Sequence, residues 1–216
     1  MYTKILNWWK SKEIKDGNHL DEILNAYKIS FTFNSAKIEN DAVTYHDTRE
    51  IFNHDGVTSY TGDLRPLFEI HNSKKAYEFI LKSFDKKIPI SIDFIKELHE
   101  LLTIGTYDNR RYEIGERPGQ FKKHDYVTGK EEIGASHEDV EEELLELLEE
   151  LEDVTEANIM ISSAYFHVKF ENIHPFADGN GRAGRLLVIY LLLLYNHPPI
   201  IFPSETKEEY YACLEQ

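Results

Sequence analysis

Cysteine is nearly absent: the 216 residues hold one, Cys213. A lone thiol excludes an internal disulfide and any multi-cysteine zinc site, and it fits a reducing, cytoplasmic setting. Positive charge is also scarce. Lys and Arg number 24 against 39 Asp and Glu, for a formal net charge of -15. Nucleic-acid binding rests on a basic footprint, so no nucleic-acid partner is expected. Long apolar runs are missing too. The most apolar stretch, Leu186 to Leu194, falls far short of the ~20 residues that span a bilayer. A helix buried on all sides accounts for it. Met1 to Lys12 carries Trp8-Trp9 but no extended apolar core and no small-residue cleavage site, so it is not a signal peptide. These absences leave a single packed domain with no membrane partner.

What the chain does have is concentrated in His174-Pro175-Phe176-Ala177-Asp178-Gly179-Asn180-Gly181-Arg182-Ala183-Gly184-Arg185. This run lies between two apolar helical stretches and so forms a loop feeding a helix N-terminus. Gly179 and Gly181 let the backbone take positive φ and approach a ligand. Successive amides in such a turn make an anion nest, reinforced by the helix that follows. Asp178 is a hard oxygen ligand beside that nest, as magnesium on a phosphate requires. Arg182 and Arg185 are three apart and share a helix face. Their guanidinium forks match phosphate oxygens. His174 is the one group in the run that takes a proton near neutral pH.

The run resembles the signature of the Fic family, His-Pro-Phe-x-Asp-Gly-Asn-Gly-Arg-x-x-Arg, at every fixed position. The likeness extends from about Leu64 onward. It implies an all-α fold, a single Fic-type helical domain with a β-hairpin flap. It implies a magnesium-dependent transferase that moves AMP from ATP to a Ser, Thr or Tyr hydroxyl of a protein target. By resemblance, His174 is the base and Asp178 the metal ligand. Phe176, Asp178, Gly179, Asn180, Gly181, Arg182 and Arg185 then form the nucleotide site. Related Doc proteins carry Lys where Gly181 stands and phosphorylate instead, so Gly181 favours AMP transfer. Tyr210 and Tyr211 are candidates for the adenine pocket. Upstream, Ser35-Ala36-Lys37-Ile38-Glu39-Asn40 resembles the family's inhibitory motif. It implies a helix over about residues 30–41 whose Glu39 pairs with Arg185 and misaligns ATP. Ser35 and Asn40 complete that motif. Residues 1–63 are therefore expected as an N-terminal helical region carrying the inhibitory helix, and 64–216 as the core. A homo-oligomer is left open. Competing readings are removal of AMP with Glu39 aligning water, a nucleotide-sensing module without transfer, and transfer of phosphate or phosphocholine.

Along the rest of the chain, helices are expected over Met1–Lys15 and His19–Ser30, the latter continuing or restarting through Asn40. Asp41 to Gly62 looks irregular, with His46 and His54 as surface histidines. Further helices are expected over Leu64–Phe84 and over Ile92–Leu102, with Ser91 as N-cap. Asp125–Lys130 has strand formers and a Thr-Gly turn, so a hairpin is expected. In the family this is a flap that docks the target as an added strand, here Phe121, Lys122, Lys123, His124, Asp125, Tyr126, Val127 and Thr128. Arg117, Lys122 and Lys123 are candidate steering charges. Ser136–Asp153 is expected as an acidic helix capped by Ser136, and Thr155–Asn172 as a helix buried nearly all round. Within it His167 is expected to be a hydrogen-bonded core histidine. Gly184–Asn196 is the second central helix, and another starts at Ser204.

Overall fold

The structure is a computed structural model. It describes every residue except 59, 129–131 and 215–216, with backbone alone at 127, 128, 132 and 133. Among the described residues it is helical, with one two-residue antiparallel ladder.

Local chemistry sets most helix ends. Helix α1 spans Tyr2–Lys10. Asp16 accepts from the His19 amide at 2.8 Å and starts α2 (Gly17–Ile23). The break then falls at Leu24, and α3 (Asn25–Glu39) runs through Ser30 without restarting. The stretch expected to be irregular contains α4 (Tyr45–His54). Thr44 caps it by accepting from the Asp47 amide at 3.1 Å, and His46 and His54 are exposed. Helix α5 (Arg65–Lys86) has Pro66 in its first turn, where the missing N–H costs nothing. Helix α6 (Ile92–Thr103) is capped by Ser91, which accepts from Phe94. A short α7 spans Asn109–Glu113.

Strands β1 (Val127–Thr128) and β2 (Glu132–Ile133) pair antiparallel, Val127 opposite Ile133. The expected Thr-Gly turn includes Gly129 and Lys130, which lie outside the described residues. Helix α8 (Val140–Glu149) starts later than expected. Asp139, not Ser136, holds the cap position, and its side chain makes no cap bond. Helices α9 (Ile159–Ile173) and α10 (Asn180–Leu194) form the central pair. A 3-10 turn at Ser204–Thr206 leads into α11 (Lys207–Leu214).

Helix α10 is the axis of the core: residues 182–193 are all buried. Helix α9 covers one side, while α5 and α6 cover another, with Phe94 stacked on Tyr190 at 4.8 Å. The expectation that α9 is buried nearly all round needs correction. Ile161 is 79% exposed and Tyr165 44%, so that face of α9 is open to solvent among the described residues. Trp9, Leu20, Leu24 and Phe31 from the N-terminal helices share one cluster with Ile80, Leu98, Phe170 and Leu187. Each such fully buried side chain contributes about 1.5–3 kcal/mol. Helix α3 is thereby held against α5 and α10, with its C-terminal end at the start of α10. Among the described residues no helix is long and apolar enough to cross a membrane.

Candidate active site

The loop between α9 and α10 is built by its own residues. His174 ends α9 in the left-handed region, at φ 51° and ψ 62°. Asn180 then clasps the loop: the Phe176 amide donates to its Oδ1 at 2.9 Å, and its Nδ2 donates to the Phe176 carbonyl at 2.7 Å. Gly179, at φ 82°, caps α10 in a conformation that disfavours any side chain. The first amides of α10 have no partner within the helix. They face a cavity of about 580 Å³ lined by His174, Asp178, Gly179, Asn180, Gly181 and Arg185. Tyr210 and Tyr211 of α11 line it too, as does Glu39.

Two members of the expected nucleotide set are elsewhere. Phe176 is fully buried and stacks flat on His99 at 3.6 Å, so it shapes the loop from behind. Arg182 is also buried and does not line the cavity. Its Nη2 leans on Asp178 at 3.5 Å, while its Nε and Nη1 have no partner among the described residues. The Asn180 side chain is consumed by its clasp, which leaves its backbone to the cavity.

Arg185 is fully buried and richly bonded. It donates through Nε to Ser35 Oγ and through Nη2 to the Ser35 carbonyl, both at 2.9 Å. Nη2 also donates to Glu39 Oε1 at 2.6 Å, and Nη1 to the Tyr210 hydroxyl at 3.2 Å. The Glu39 carboxylate lies directly against the Gly181 backbone, where even a methyl group would overlap it. The Tyr210 hydroxyl is also hydrogen-bonded to His167 Nε2 at 2.9 Å. His167 is therefore a hydrogen-bonded core histidine, and burial pushes its pKa down to about 3.

At the other end, Asp178 is shared by Arg65 at 3.2 Å and by Arg111 and Arg182 at 3.5 Å each. Its own backbone carbonyl accepts from His99 Nε2 at 2.8 Å. His99 Nδ1 accepts from the Gly119 amide at 3.0 Å, which assigns the ring proton to Nε2. Burial holds His99 neutral, with a pKa pushed down to about 3. Among the described residues no group of three or more His, Cys, Asp or Glu is placed to hold a metal. A single carboxylate beside free amides fits magnesium, which takes its remaining ligands from phosphates and water.

His174 lines the cavity as a neutral imidazole. Burial above all, then the nearby Lys122 ammonium, pushes its pKa down to about 4. Glu171, one helical turn earlier, moves the other way: burial raises its pKa to about 8. Among the described residues its Oε1 has no hydrogen-bond partner, nor has His167 Nδ1, which stands 3.9 Å away.

The hairpin is stitched beside the base. The Lys122 amide donates to the Pro175 carbonyl at 2.9 Å, and the Ala135 amide to the Ile173 carbonyl at 3.1 Å. Lys122 is 2% exposed and reaches the Ile173 carbonyl, so burial removes it from the expected steering charges. Buried Glu116 organises the approach, accepting from the Lys123 amide, His124 and the Tyr126 hydroxyl at 2.8–3.0 Å. Asp125 accepts from the His137 amide at 2.8 Å. Phe121 packs on Phe176 at 5.6 Å. The side chains of Val127 and Thr128 lie outside the described set. Asn40 turns from the cavity and donates to Glu69 at 2.9 Å.

Sequence reasoning missed His99, Arg111, Glu116 and Glu171. Glu171 had a usable signal, since it stands three residues before His174 and so on the same helix face. The others depend on loop packing that leaves no periodic trace.

A helical core presenting this loop between two antiparallel helices defines the Fic/DOC class. Residues 89–192 match the family described as Fic/DOC, and this part of the chain is a Fic domain. The protein adenylyltransferase Fic of Drosophila persimilis is 30% identical over 188 residues, 85% of this chain and 35% of that protein. The protein adenylyltransferase fic-1 of Caenorhabditis elegans is similar to the same extent. This chain thus spans about a third of the length of the curated relatives it matches. Among solved structures, a Fic domain containing signaling protein from Bacteroides thetaiotaomicron superposes with a TM-score of 0.81 at 26% identity, covering 100% of this chain and 80% of that one. Fic-1 from C. elegans gives 0.76 at 26% identity, covering 99% and 63%.

Proposed function

We propose that the chain is a self-inhibited protein adenylyltransferase that transfers AMP from magnesium ATP to a hydroxyl of a protein target. In this reading the triphosphate lies along the α10 amides, with its distal phosphates toward Arg185. His174 accepts the proton of the target hydroxyl. The oxygen attacks the α-phosphorus, the bond to the bridging oxygen breaks, and pyrophosphate leaves. Magnesium, held by Asp178, would neutralise charge on the phosphates when bound. The hairpin would hold the target backbone as an added strand beside the base, and Tyr210 and Tyr211 would border the adenosine.

The observation that carries self-inhibition is the seat of Glu39. Its carboxylate bonds Arg185 at 2.6 Å and lies against Gly181, on the path a distal phosphate would take. Occupying that place repels the phosphate and tilts the α-phosphorus from the in-line geometry transfer requires. Incubation with α-labelled ATP and a protein lysate tests both parts. Glu39→Gly should raise AMP incorporation on the order of 10²-fold. Adding His174→Ala should remove about 10²–10⁴-fold of it. Wild-type labelling equal to that of Glu39→Gly would end the self-inhibition reading. Label arriving only from the γ-position would end the adenylyltransferase reading.

A further inference from the structure

A second line of contacts leaves the inhibitory segment and reaches the opposite end of the cavity. Asn40 directly follows Glu39. Its Nδ2 donates to Glu69 Oε2 at 2.9 Å. Glu69, 3% exposed in the first turns of α5, accepts at its other oxygen from Arg65 Nε at 2.9 Å. Arg65 Nη2 then donates to Asp178 Oδ2 at 3.2 Å. One face of the Arg65 guanidinium is thus fixed by a buried acid, which is itself fixed by Asn40. Of the three guanidinium groups around Asp178, only that of Arg65 meets it at hydrogen-bonding distance and geometry among the described residues.

We infer that Arg65 is a positioning residue that competes with the magnesium ion for Asp178, and that Asn40 and Glu69 hold it in that competing pose. The inference rests on the proposed role of Asp178 as cation ligand. A guanidinium on Oδ2 and a divalent cation on the same carboxylate repel each other, so the Arg65 pose works against cation entry. The single helix end at residues 39 and 40 therefore acts on both ends of the triphosphate seat. Glu39 covers the distal phosphate position, and Asn40, through Glu69 and Arg65, occupies the cation ligand. Release of the α3 end would free both together.

The test measures nucleotide binding, not turnover. In the Glu39→Gln chain, the affinity for α,β-methylene ATP is measured by calorimetry with and without magnesium. The ratio of the two affinities reports cation coupling. Arg65→Gln should raise that ratio about two- to fivefold, the range for a partly exposed ion pair. Arg65→Lys should stay near the parent, because its ammonium still reaches the acid. Asn40→Ala should move the ratio the same way as Arg65→Gln and less far, which a merely structural role for Arg65 would not produce. Asp178→Asn should collapse the ratio toward one. If Asp178→Asn leaves it unchanged, the cation-ligand reading itself is wrong. If Asp178→Asn collapses it while Arg65→Gln fails to raise it, the competition alone is overturned.

Discussion

The two ends of the cavity solve opposite problems. At one end a single buried cation, Arg185, is met by Ser35, Glu39 and Tyr210. At the other a single acid, Asp178, is met by three cations. The first end is closed, with the charge of the guanidinium matched and four of its hydrogen bonds made. The second end is shared: Glu69 offsets Arg65 and Asp108 offsets Arg111, so Asp178 is spread over guanidinium groups that have other partners. In the proposed reading a triphosphate gains little at the first end until Glu39 leaves. The difference shows why two arginines three residues apart on one helix have unlike surroundings. Helix register gave them a common face, while α3 and α11 reach only Arg185.

Truncating Arg185 tests the comparison most severely. Arg185→Met strips Ser35, Glu39 and Tyr210 of their partner, and we expect a loss of about 1.5–3 kcal/mol, the range for hydrogen bonds to a charged group, since the partly exposed Glu39 is solvated in the variant. Arg182→Met removes a side chain with two nitrogens unpartnered among the described residues and should cost less than half as much. Urea midpoints of the two variants check this, and equal losses would erase the contrast between the ends.

Glu171 sharpens the comparison, because it lies near Arg185 yet is raised to about 8 by burial. From its ordinary carboxylate range up to pH 8, the folded chain holds a proton that the unfolded chain has released. Stability therefore falls as pH rises through that window, and the loss is complete above 8. Glu171→Gln should recover about 1–3 kcal/mol at pH 9 relative to pH 6. A wild-type melting temperature that is level from pH 6 to 9 would place the proton elsewhere.

The smallest effect concerns His174. Its pKa is displaced downward to about 4, so the base is free of its proton across pH 6–8. AMP transfer by Glu39→Gly should be level there and fall roughly tenfold only about one unit below pH 4. Removing Glu39 takes away an acid that holds the His174 value up, so the fall comes no higher. A midpoint near 6.5 in the acid limb of the rate profile would show a solvated imidazole instead.

Much of this site was legible before any coordinates. The loop from His174 to Arg185 is contiguous, and its spacing alone placed a base, an acid and a glycine turn at a helix start. The Glu39–Arg185 contact, 146 residues apart, was reachable only through family likeness. Helix α4 was missed because its inward face includes Asp47 and Thr48 beside Ile51, which breaks the apolar rhythm. The Thr44-x-x-Asp47 cap was nevertheless present in the sequence. The start of α8 was misplaced because Ser136 has the chemistry of a cap, while the chain first makes a turn through Asp139. Lys122 looked like a surface charge because sequence does not reveal that its backbone is stitched to Pro175. The three cations around Asp178 come from α5, α7 and α10, and no local pattern joins them.

His99 has one further consequence. Its ring receives a proton from Gly119 and gives one to the Asp178 carbonyl, so it rivets the approach to the hairpin onto the signature loop. A ring that stays uncharged down to about pH 3 keeps that rivet through mild acid, where ordinary histidines would spring open. Mild acid that protonates His174, with its pKa down to about 4, would therefore leave the loop and the hairpin approach joined.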